Sequence, residues 1–199
     1  MKTAALLLAA GSSRRFGRDK RQVQLDSGRT LLATSLQRYL DVFGECFVVI
    51  DQEDGELKPG LRRQGASLVE LSGRARGCGM GDSLAAGIQH IAGRRYDACL
   101  VALADMPWVT PATLAALVAA LGEAPLVAPV WRGRRGHPVG FGARYFAELG
   151  QLSGDAGARG VLQRHAAELL QLPVEDPGIV RDVDTVVDLL QQPGCRCID

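Results

Sequence analysis

The sequence predicts an α/β fold of three layers, in which a mostly parallel, twisted sheet lies between two layers of helices. Apolar runs of strand length, as at residues 3–9, 46–50 and 98–104, lack polar alternation and are typical of strands buried on both faces. Segments with apolar residues at helical spacing separate these runs. No repeat with a period of about 20–50 residues and no low-complexity linker interrupts this alternation.

Each element is predicted from its own pattern of residues. Strands are predicted at 3–9, 46–50, 67–71, 98–104 and 126–130, with a short one at 172–174. The strand at 67–71 alternates apolar and polar residues, whereas the earlier two are continuously apolar. Helices are predicted at 31–40, 80–91, 111–121, 143–149, 156–170 and 185–192. The helix at 111 has a clear start, with Thr110 as its N-cap and Pro111 in its first position.

The composition favours a globular protein that binds small anionic molecules. The 199 residues fit a single domain, 1–199, with a frayed tail from about 193, and 47% of them are hydrophobic. The net charge of +1 argues against nucleic acid as a partner, which usually requires a strong basic excess. Lysine and arginine nevertheless crowd between positions 14 and 21. No segment reads as a membrane span or a signal peptide, so a cytoplasmic location without membrane contact is expected.

The five cysteines are not clustered as zinc ligands are. Cys46 and Cys99 lie in apolar runs and are expected to be buried as small hydrophobic residues. Cys195 and Cys197 lie one residue apart in the tail. A frayed tail is the favoured interpretation of this pair, and a metal or redox role is the alternative.

A basic loop rich in glycine and serine follows the first strand. Ligands of such sheets bind beyond the carboxyl ends of the strands, which points to residues 9–20. Glycine allows close backbone approach, free N–H groups form an anion-binding nest, and arginine binds phosphate in bidentate fashion. The spacing matches neither a Walker A loop nor a dinucleotide-binding loop. The loop is predicted to hold a triphosphate, with an ordinary glycine turn as the alternative, through Ala9, Ala10, Gly11, Ser12, Ser13, Arg15 and Lys20.

This loop also resembles a known signature. The run Leu8-Ala9-Ala10-Gly11-x-Ser13-x-Arg15-Phe16-Gly17-x-x-Lys20 is similar to that of the GT-A type nucleotidyltransferase superfamily, and within it to the molybdenum cofactor cytidylyltransferases. The resemblance implies a Rossmann-like nucleotidyltransferase fold, with Arg15 and Lys20 as catalytic residues on the phosphates. Ala10 stands where guanylyltransferase relatives usually carry a second glycine, which favours CTP over GTP.

Two carboxylates on different loops are predicted to hold Mg²⁺, a cation that prefers oxygen ligands and is usually held by one or two carboxylates together with phosphates. Asp105 follows the 98–104 strand and, by the resemblance, is a metal ligand and catalytic residue; a turn or N-cap aspartate is the alternative. The second ligand is Asp184 of a late Asp-x-Asp-Thr motif, with Asp182 as the runner-up and a helix cap as the alternative. The family pattern continues with Pro-Glu-Asp, where this chain has Val186-Val187-Asp188.

Three further segments are implied to contact the substrates. Gly79, Met80 and Ser83 match a Gly-Met-x-x-Ser-Leu segment that lies near the nucleotide base in relatives; a glycine-rich helix connection is the alternative. A Gly-His-Pro motif and a Gly-Asp-x-Gly loop are implied to bind the acceptor, and a hairpin turn and a helix cap are their alternatives. The other two histidines, His90 and His165, are interpreted as surface or packing residues. The acceptor-binding residues would be Arg134, Arg135, His137, Pro138 and Asp155.

The function that the resemblance implies is Mg²⁺-dependent transfer of CMP from CTP to a molybdopterin-type phosphorylated acceptor, with release of pyrophosphate. A transient contact with a molybdenum enzyme is a further expectation. One alternative keeps the chemistry but uses GTP or a different acceptor, such as a sugar phosphate. Another is an accessory protein that carries molybdopterin to a molybdenum hydroxylase, and a third is a flavin- or pterin-linked oxidoreductase. The complete set of Arg15, Lys20, Asp105 and Asp184 argues against an inactive enzyme, because a pure binding protein has no need of both carboxylates.

Overall fold

A mixed sheet forms the centre of the molecule in a computed structural model that describes residues 1–11, 16, 19–72 and 79–190. Among these residues the sheet has eight strands, in the order β3-β2-β1-β4-β7-β5-β6, and β8 also pairs with β5. The strands are β1 (Thr3–Leu8), β2 (Cys46–Asp51), β3 (Ala66–Leu71), β4 (Ala98–Leu103), β5 (Leu126–Trp131), β6 (Arg134–Arg135), β7 (Val139–Gly142) and β8 (Leu169–Pro173).

Parallel pairing joins β3, β2, β1 and β4, and also β5 and β8. Strand β7 is inserted between β4 and β5 and runs antiparallel to both. The reversal starts at a tight turn after β5, where Arg132 and Gly133 both have positive φ angles, of 48° and 75°. The prediction of a three-layer, mostly parallel sheet is therefore confirmed, with an antiparallel part centred on β7.

Helices cover both faces of the sheet. Along β1, Ala5 and Leu7 pack in the core beneath α1 and α4, whereas Ala4 and Leu6 pack in the core beneath α3, α5 and α6. This alternation explains the continuously apolar sequence of β1, since both of its faces are buried. The helices are α1 (Leu31–Phe43), α2 (Lys58–Gln64), α3 (Met80–Ala92), α4 (Pro111–Ala120), α5 (Phe146–Leu149), α6 (Arg159–Arg164) and α7 (Val186–Leu190).

Most predicted elements are present, but one prediction is wrong. The helix predicted at 156–170 is only α6 and a short 3₁₀ turn, because Leu169 and Leu170 belong to β8, which pairs with β5. Helix α2 and strand β7 had not been predicted. The hairpin turn that was the alternative interpretation of the segment 133–139 is present between β5 and β6, and Arg134 and Arg135 are exposed there. Helix α4 begins as expected, since the hydroxyl of Thr110 accepts a hydrogen bond from the backbone N–H of Thr113.

Two further predictions concern the cysteines and the membrane. Cys46 and Cys99 are both fully buried, as predicted, and burial raises the pKa of each thiol. Cys195, Cys197 and the tail that was predicted to fray lie outside the described residues. Within the described part of the chain, no helix has the length and apolar composition needed to cross a membrane.

Candidate active site

A cleft of about 500 Å³ opens beyond the carboxyl ends of β1 and β4. The two strands are parallel neighbours, with Leu8 opposite Leu103, so the residues that follow them meet at one edge of the sheet. This is the edge at which ligands of parallel α/β sheets bind. Its lining comes from these two strand ends, from the 19–31 segment, from the start of α3 and from Asp155: Leu8, Ala9, Ala10, Gly11, Lys20, Arg21, Leu31, Gly79, Met80, Ser83, Leu103, Ala104, Asp105 and Asp155.

Lys20 lies between the two predicted metal ligands. Its Nζ donates to Oδ2 of Asp105 at 2.8 Å and to Oδ1 of Asp184 at 3.0 Å. Burial alone would lower the pKa of Lys20, but the two carboxylates outweigh that effect and raise it. Two carboxylates that lie 85 and 164 positions from Lys20 in sequence thus converge on its ammonium group.

The segment that carries Asp184 is attached directly to the loop of Asp105. The backbone N–H of Val183 donates to the carbonyl of Asp105 at 2.9 Å, and the Val183 side chain is fully buried beside Phe16 and Leu31. Asp182 is exposed, and Asp184 is the carboxylate that faces Lys20. The fold therefore gives different surroundings to two aspartates that lie only two positions apart in sequence: Asp182 faces solvent and Asp184 faces Lys20.

Asp188, the residue of the family's Pro-Glu-Asp pattern that this chain retains, holds the start of α7. Its Oδ2 accepts hydrogen bonds from the backbone N–H of Asp184, at 3.0 Å, and from the N–H and hydroxyl of Thr185, at 2.6 and 2.8 Å. These bonds, led by that of the Thr185 hydroxyl, lower the pKa of Asp188. The capping role falls to Asp188, and the side chain of Asp184 is left to face Lys20.

Arg21 is a buried residue of the cleft wall that the sequence analysis did not select. Its guanidinium binds both carboxylate oxygens of Asp54, at 2.5 and 2.7 Å, and both of Asp19, at 2.8 and 2.9 Å. It also donates to the carbonyl of Ala9 at 2.9 Å. Burial opposes the charged form, but Asp54 and Asp19 outweigh it and raise the pKa of Arg21. Arg21 thus fastens Asp19 and Asp54 to the backbone at the end of β1.

The start of α3 forms another wall of the cleft. Gly79 is the N-cap residue, and its backbone N–H donates to Oδ2 of Asp82 at 2.7 Å. The hydroxyl of Ser83 donates to the carbonyl of Gly79 at 3.2 Å, within the first turn. Met80 is 47% exposed, although it is a large apolar residue. All three residues predicted to lie near the base, Gly79, Met80 and Ser83, therefore line the cleft.

A second cleft of about 250 Å³ adjoins the first, and the two share Leu8, Met80 and Leu103. Its walls are mostly apolar, with cationic groups at Arg135 and Arg159. Arg134, Arg135 and Arg159 are all exposed to solvent, but Arg134 is not part of the lining. The apolar lining comprises Leu8, Met80, Leu84, Val101, Leu103, Val139, Phe141, Ala156, Ala158 and Leu162.

His137 lines this second cleft. Its backbone N–H donates to the carbonyl of Ile179 at 2.8 Å, and the bond between His137 and Pro138 is cis. Burial lowers the pKa of His137, an effect that the charges of Asp105 and Asp182 partly oppose, so the imidazole is neutral at pH 7. Within the described residues, its Nδ1 is buried and has no hydrogen-bond partner. His137 can therefore bind a ligand as a neutral hydrogen-bonding group.

Three other predictions have different outcomes. The side chain of Asp155 lies against Gly79 in the larger cleft, and α6 begins at Arg159 without a side-chain cap, so the cap alternative for Asp155 is not observed. Ser12, Ser13 and Arg15 lie outside the described residues, and their roles stay predictions. His90 contacts the ring of Phe47, and His165 binds Glu148, both away from the two clefts.

The residues present fit a small divalent cation. Oδ1 of Asp105 is buried and, among the described residues, has no hydrogen-bond partner, although a carboxylate oxygen at that depth requires one. Asp105 and Asp184 offer hard oxygen ligands, and the described residues hold no group of three or more metal-binding side chains. Mg²⁺ is usually held by one or two carboxylates, and water molecules and phosphate oxygens take its remaining coordination positions.

Comparison with known proteins agrees with this geometry. The model of the MobA-like NTP transferase domain matches residues 5–197. The chain is 33% identical over 153 residues to 2-C-methyl-D-erythritol 4-phosphate cytidylyltransferase of Cereibacter sphaeroides strain KD131, an alignment that covers 70% of this chain and 66%, slightly under two thirds, of that relative. It is 27% identical to phosphoenolpyruvate guanylyltransferase of Sphaerobacter thermophilus over 179 residues, which cover 85% of this chain and 82% of that protein.

Solved structures show the same fold. Rv0371c from Mycobacterium tuberculosis H37Rv superposes with a TM-score of 0.78 and 25% identity, over 96% of this chain and 98% of that one. Molybdopterin-guanine dinucleotide biosynthesis protein A from Archaeoglobus fulgidus superposes with a TM-score of 0.65 and 21% identity, over 94% of both chains. The match to the family model spans both clefts and both aspartate motifs, and the chain therefore belongs to the MobA-like NTP transferase domain family, whose members are nucleotidyltransferases.

Proposed function

We propose that this protein transfers CMP from CTP to the phosphate of a molybdopterin-type acceptor, with Mg²⁺ as its metal ion and pyrophosphate as its second product. The observation that carries the proposal is the convergence of Lys20, Asp105 and Asp184 at the strand ends, directly beside a second, apolar cleft. A cation site in a cleft that adjoins a second cleft suits a reaction that joins two phosphorylated molecules. The C. sphaeroides relative is named as a cytidylyltransferase, which supports the reaction type.

In the proposed reaction, an oxygen of the acceptor phosphate attacks the α-phosphorus of CTP. The bond from that phosphorus to the oxygen that bridges it to the β-phosphate breaks, and pyrophosphate leaves with the electron pair. Asp105 and Asp184 hold the metal ion, which when bound supplies positive charge to the phosphate oxygens. Lys20 leaves the carboxylates and donates to the β- and γ-phosphates, and Arg15 is predicted to join it. The protein thus contributes positioning and electrostatic stabilisation.

The second cleft supports an acceptor with a flat, poorly hydrated body. Val101, Val139 and Phe141 offer no hydrogen bonds to a polyhydroxylated sugar, whose hydroxyl groups would lose their contacts with water. A pterin ring can pack on these side chains and present a polar edge to His137. Arg135 lies where it can reach an anionic group, and Arg134 stays a predicted contact outside the cleft lining. Pro138 then acts by fixing the backbone beside His137.

The choice of CTP rests on Ala10. Its side chain lines the nucleotide cleft and is 8% exposed, so a methyl group narrows the cleft where glycine would leave space. A narrower site favours a pyrimidine over a purine. The S. thermophilus relative is named as a guanylyltransferase, so GTP is the competing nucleotide to test.

The choice of Mg²⁺ rests on the oxygen ligands, and a solved complex of Rv0371C with manganese makes Mn²⁺ the competing metal. A cytoplasmic location and a transient contact with a molybdenum enzyme stay predictions.

The test is pyrophosphate release from each of the four NTPs with Mg²⁺ or Mn²⁺, with and without molybdopterin as acceptor. We expect release from CTP that depends on the acceptor. Release from GTP would overturn the nucleotide assignment, and release only with phosphoenolpyruvate or 2-C-methyl-D-erythritol 4-phosphate would overturn the acceptor. Tight binding of molybdopterin without release from any NTP would favour the accessory protein.

A further inference from the structure

Asp82 joins the two clefts through a single carboxylate oxygen. Its Oδ2 accepts a hydrogen bond from the backbone N–H of Gly79 at 2.7 Å and a second from the backbone N–H of Gly154 at 3.1 Å. Gly79 caps α3 and lines the larger cleft. Gly154 begins the segment 154–158, which we call the bridging loop. One side chain therefore holds two backbone segments that are 72 positions apart in sequence.

The start of α3 and the bridging loop are also in direct backbone contact. A Cβ atom on Gly79 would overlap the carbonyl of Gly154, and one on Gly81 would lie 2.8 Å from the carbonyl oxygens of Ser153 and Gly154. Real Cβ atoms do not approach other atoms so closely, so both positions require glycine. At this separation, movement of one segment displaces the other.

The bridging loop continues from the first cleft into the second. Asp155 lines the larger cleft, whereas Ala156, Gly157 and Ala158 line the smaller one. Gly157 lies beside Met80, since a Cβ atom there would be 3.0 Å from the sulfur. Met80 itself lines both clefts. A continuous contact therefore leads from the N-terminus of α3, through Asp82, to the wall of the second cleft.

We infer that Asp82 is a positioning residue that couples nucleotide binding to the shape of the acceptor cleft. A nucleotide in the first cleft fixes Gly79 and Met80, the Asp82 carboxylate carries that restraint to Gly154, and the bridging loop becomes ordered for the acceptor. Two ligands that favour the same arrangement raise each other's affinity by one common factor. The assignment of the clefts to nucleotide and acceptor rests on the proposed function. The coupling itself can be measured with nucleotide alone.

The experiment measures hydrogen–deuterium exchange in the full chain, with and without the α,β-methylene analogues of CTP and GTP and Mg²⁺. In the unsubstituted protein, we expect the analogue that binds to slow exchange both at 79–84 and at 153–158. In Asp82→Ala, protection at 79–84 persists, protection at 153–158 is lost, and exchange at 153–158 without nucleotide rises by about fivefold or more. Asp82→Asn keeps an oxygen that can accept both bonds, so it restores protection of the bridging loop.

The matched control is Ile91→Val, which loosens the buried far end of the same helix and touches neither cleft. It is expected to lower thermal stability while leaving nucleotide-dependent protection at 153–158 intact. If Asp82→Ala kept that protection, or if the bound analogue left 153–158 unprotected in the unsubstituted protein, the coupling would be wrong and the proposed function would stand. If neither analogue bound the unsubstituted protein, the proposed function would fail, and the coupling with it.

Discussion

The ammonium of Lys20 lies where two carboxylates need a positive charge. Asp105 and Asp184 approach within 3.0 Å of it, and their side chains are 23% and 41% exposed. Like charges held this close repel one another unless a cation lies between them. The protein thus places a compensating positive charge between its two carboxylates with the same residue that is predicted to bind phosphate. A metal–nucleotide complex would have to displace Lys20 from both carboxylates.

Substitution of the two neighbouring aspartates of the late motif, Asp182 and Asp184, should have sharply different effects on kcat/KM. Asp184→Ala removes a proposed metal ligand and is expected to lower kcat/KM by about 10²-fold or more. Asp182→Ala removes an exposed carboxylate that does not face Lys20 and should change kcat/KM by about threefold or less. Steady-state pyrophosphate release at saturating Mg²⁺ measures both. Equal losses in the two variants would move the ligand assignment to the runner-up or to neither residue.

Substitution of Arg21 by lysine should destabilise the folded protein. Arg21→Lys keeps the charge but cannot satisfy Asp54, Asp19 and the Ala9 carbonyl together, and we expect a loss of about 2 kcal/mol in the free energy of unfolding. The control is Arg62→Lys, which changes the 60% exposed partner of Glu70 and is expected to leave the unfolding midpoint close to that of the unsubstituted protein. Urea unfolding monitored by circular dichroism compares the two. Similar midpoints would show that the buried network adds no stability.

Between elements, Gly136 sets how closely the connection from β6 to β7 approaches the segment before Asp184. Gly136 lies against Ile179, whose carbonyl also accepts the N–H of His137 at 2.8 Å. The same segment is fixed from its other side by Asp176, a buried carboxylate that accepts from Thr110, Thr113 and Gly178. The second cleft and the segment that carries Asp184 therefore share one support.

Gly136→Ala tests this support. A Cβ atom would overlap the Ile179 carbonyl, so we expect a loss of about 2–3 kcal/mol in the free energy of unfolding and a higher KM for the acceptor. Gly60→Ala is the control, because a Cβ atom there meets nothing within 4 Å and alanine favours the helix by up to about 1 kcal/mol. Thermal unfolding and acceptor titration measure the two effects. Unchanged stability in Gly136→Ala would mean that the connection from β6 to β7 shifts freely.

An element could be predicted when the contacts that determine it lie close together in sequence, and could not when they lie far apart. The apolar runs of β1, β2 and β4 and the cap of α4 are local signals, and each was predicted within a few residues. Leu169 and Leu170 were predicted as the end of a helix. They form a strand because they pair with Leu126 and Val127, a contact that the local sequence does not indicate. Asp82 carried a signal that was overlooked, since its position three residues after Gly79 is that of a capping box. The position of Arg21 between Asp19 and Asp54 is a tertiary contact that sequence spacing does not reveal.

At the scale of the whole molecule, the two faces of the sheet are sealed by helices. Cys46 and Cys99 lie on opposite faces, each fully buried, and burial raises the pKa of both thiols. A protonated, inaccessible thiol is a poor nucleophile. The reactivity of these two cysteines therefore reports on opening of the entire core.

This predicts that both thiols react only on unfolding. With Cys78, Cys195 and Cys197 changed to serine, the folded protein should react with Ellman's reagent no faster than it unfolds, and both remaining thiols should react at once in denaturant. The rates are followed by absorbance across a urea series, and they should rise together. Rapid reaction of one thiol in the absence of urea would show that one face opens independently.

The bridge between Lys20 and Asp184 joins residues 164 positions apart, and this has a consequence for synthesis on the ribosome. Chains emerge from their N-terminus, so β1 and the strands that pair with it are available long before the second carboxylate. A chain extended only through β5 holds Lys20 and Asp105 but lacks Asp184. An unfinished chain therefore lacks one of the two proposed metal ligands, and it should acquire metal-dependent nucleotide binding only after the segment 176–184 has docked beside β4.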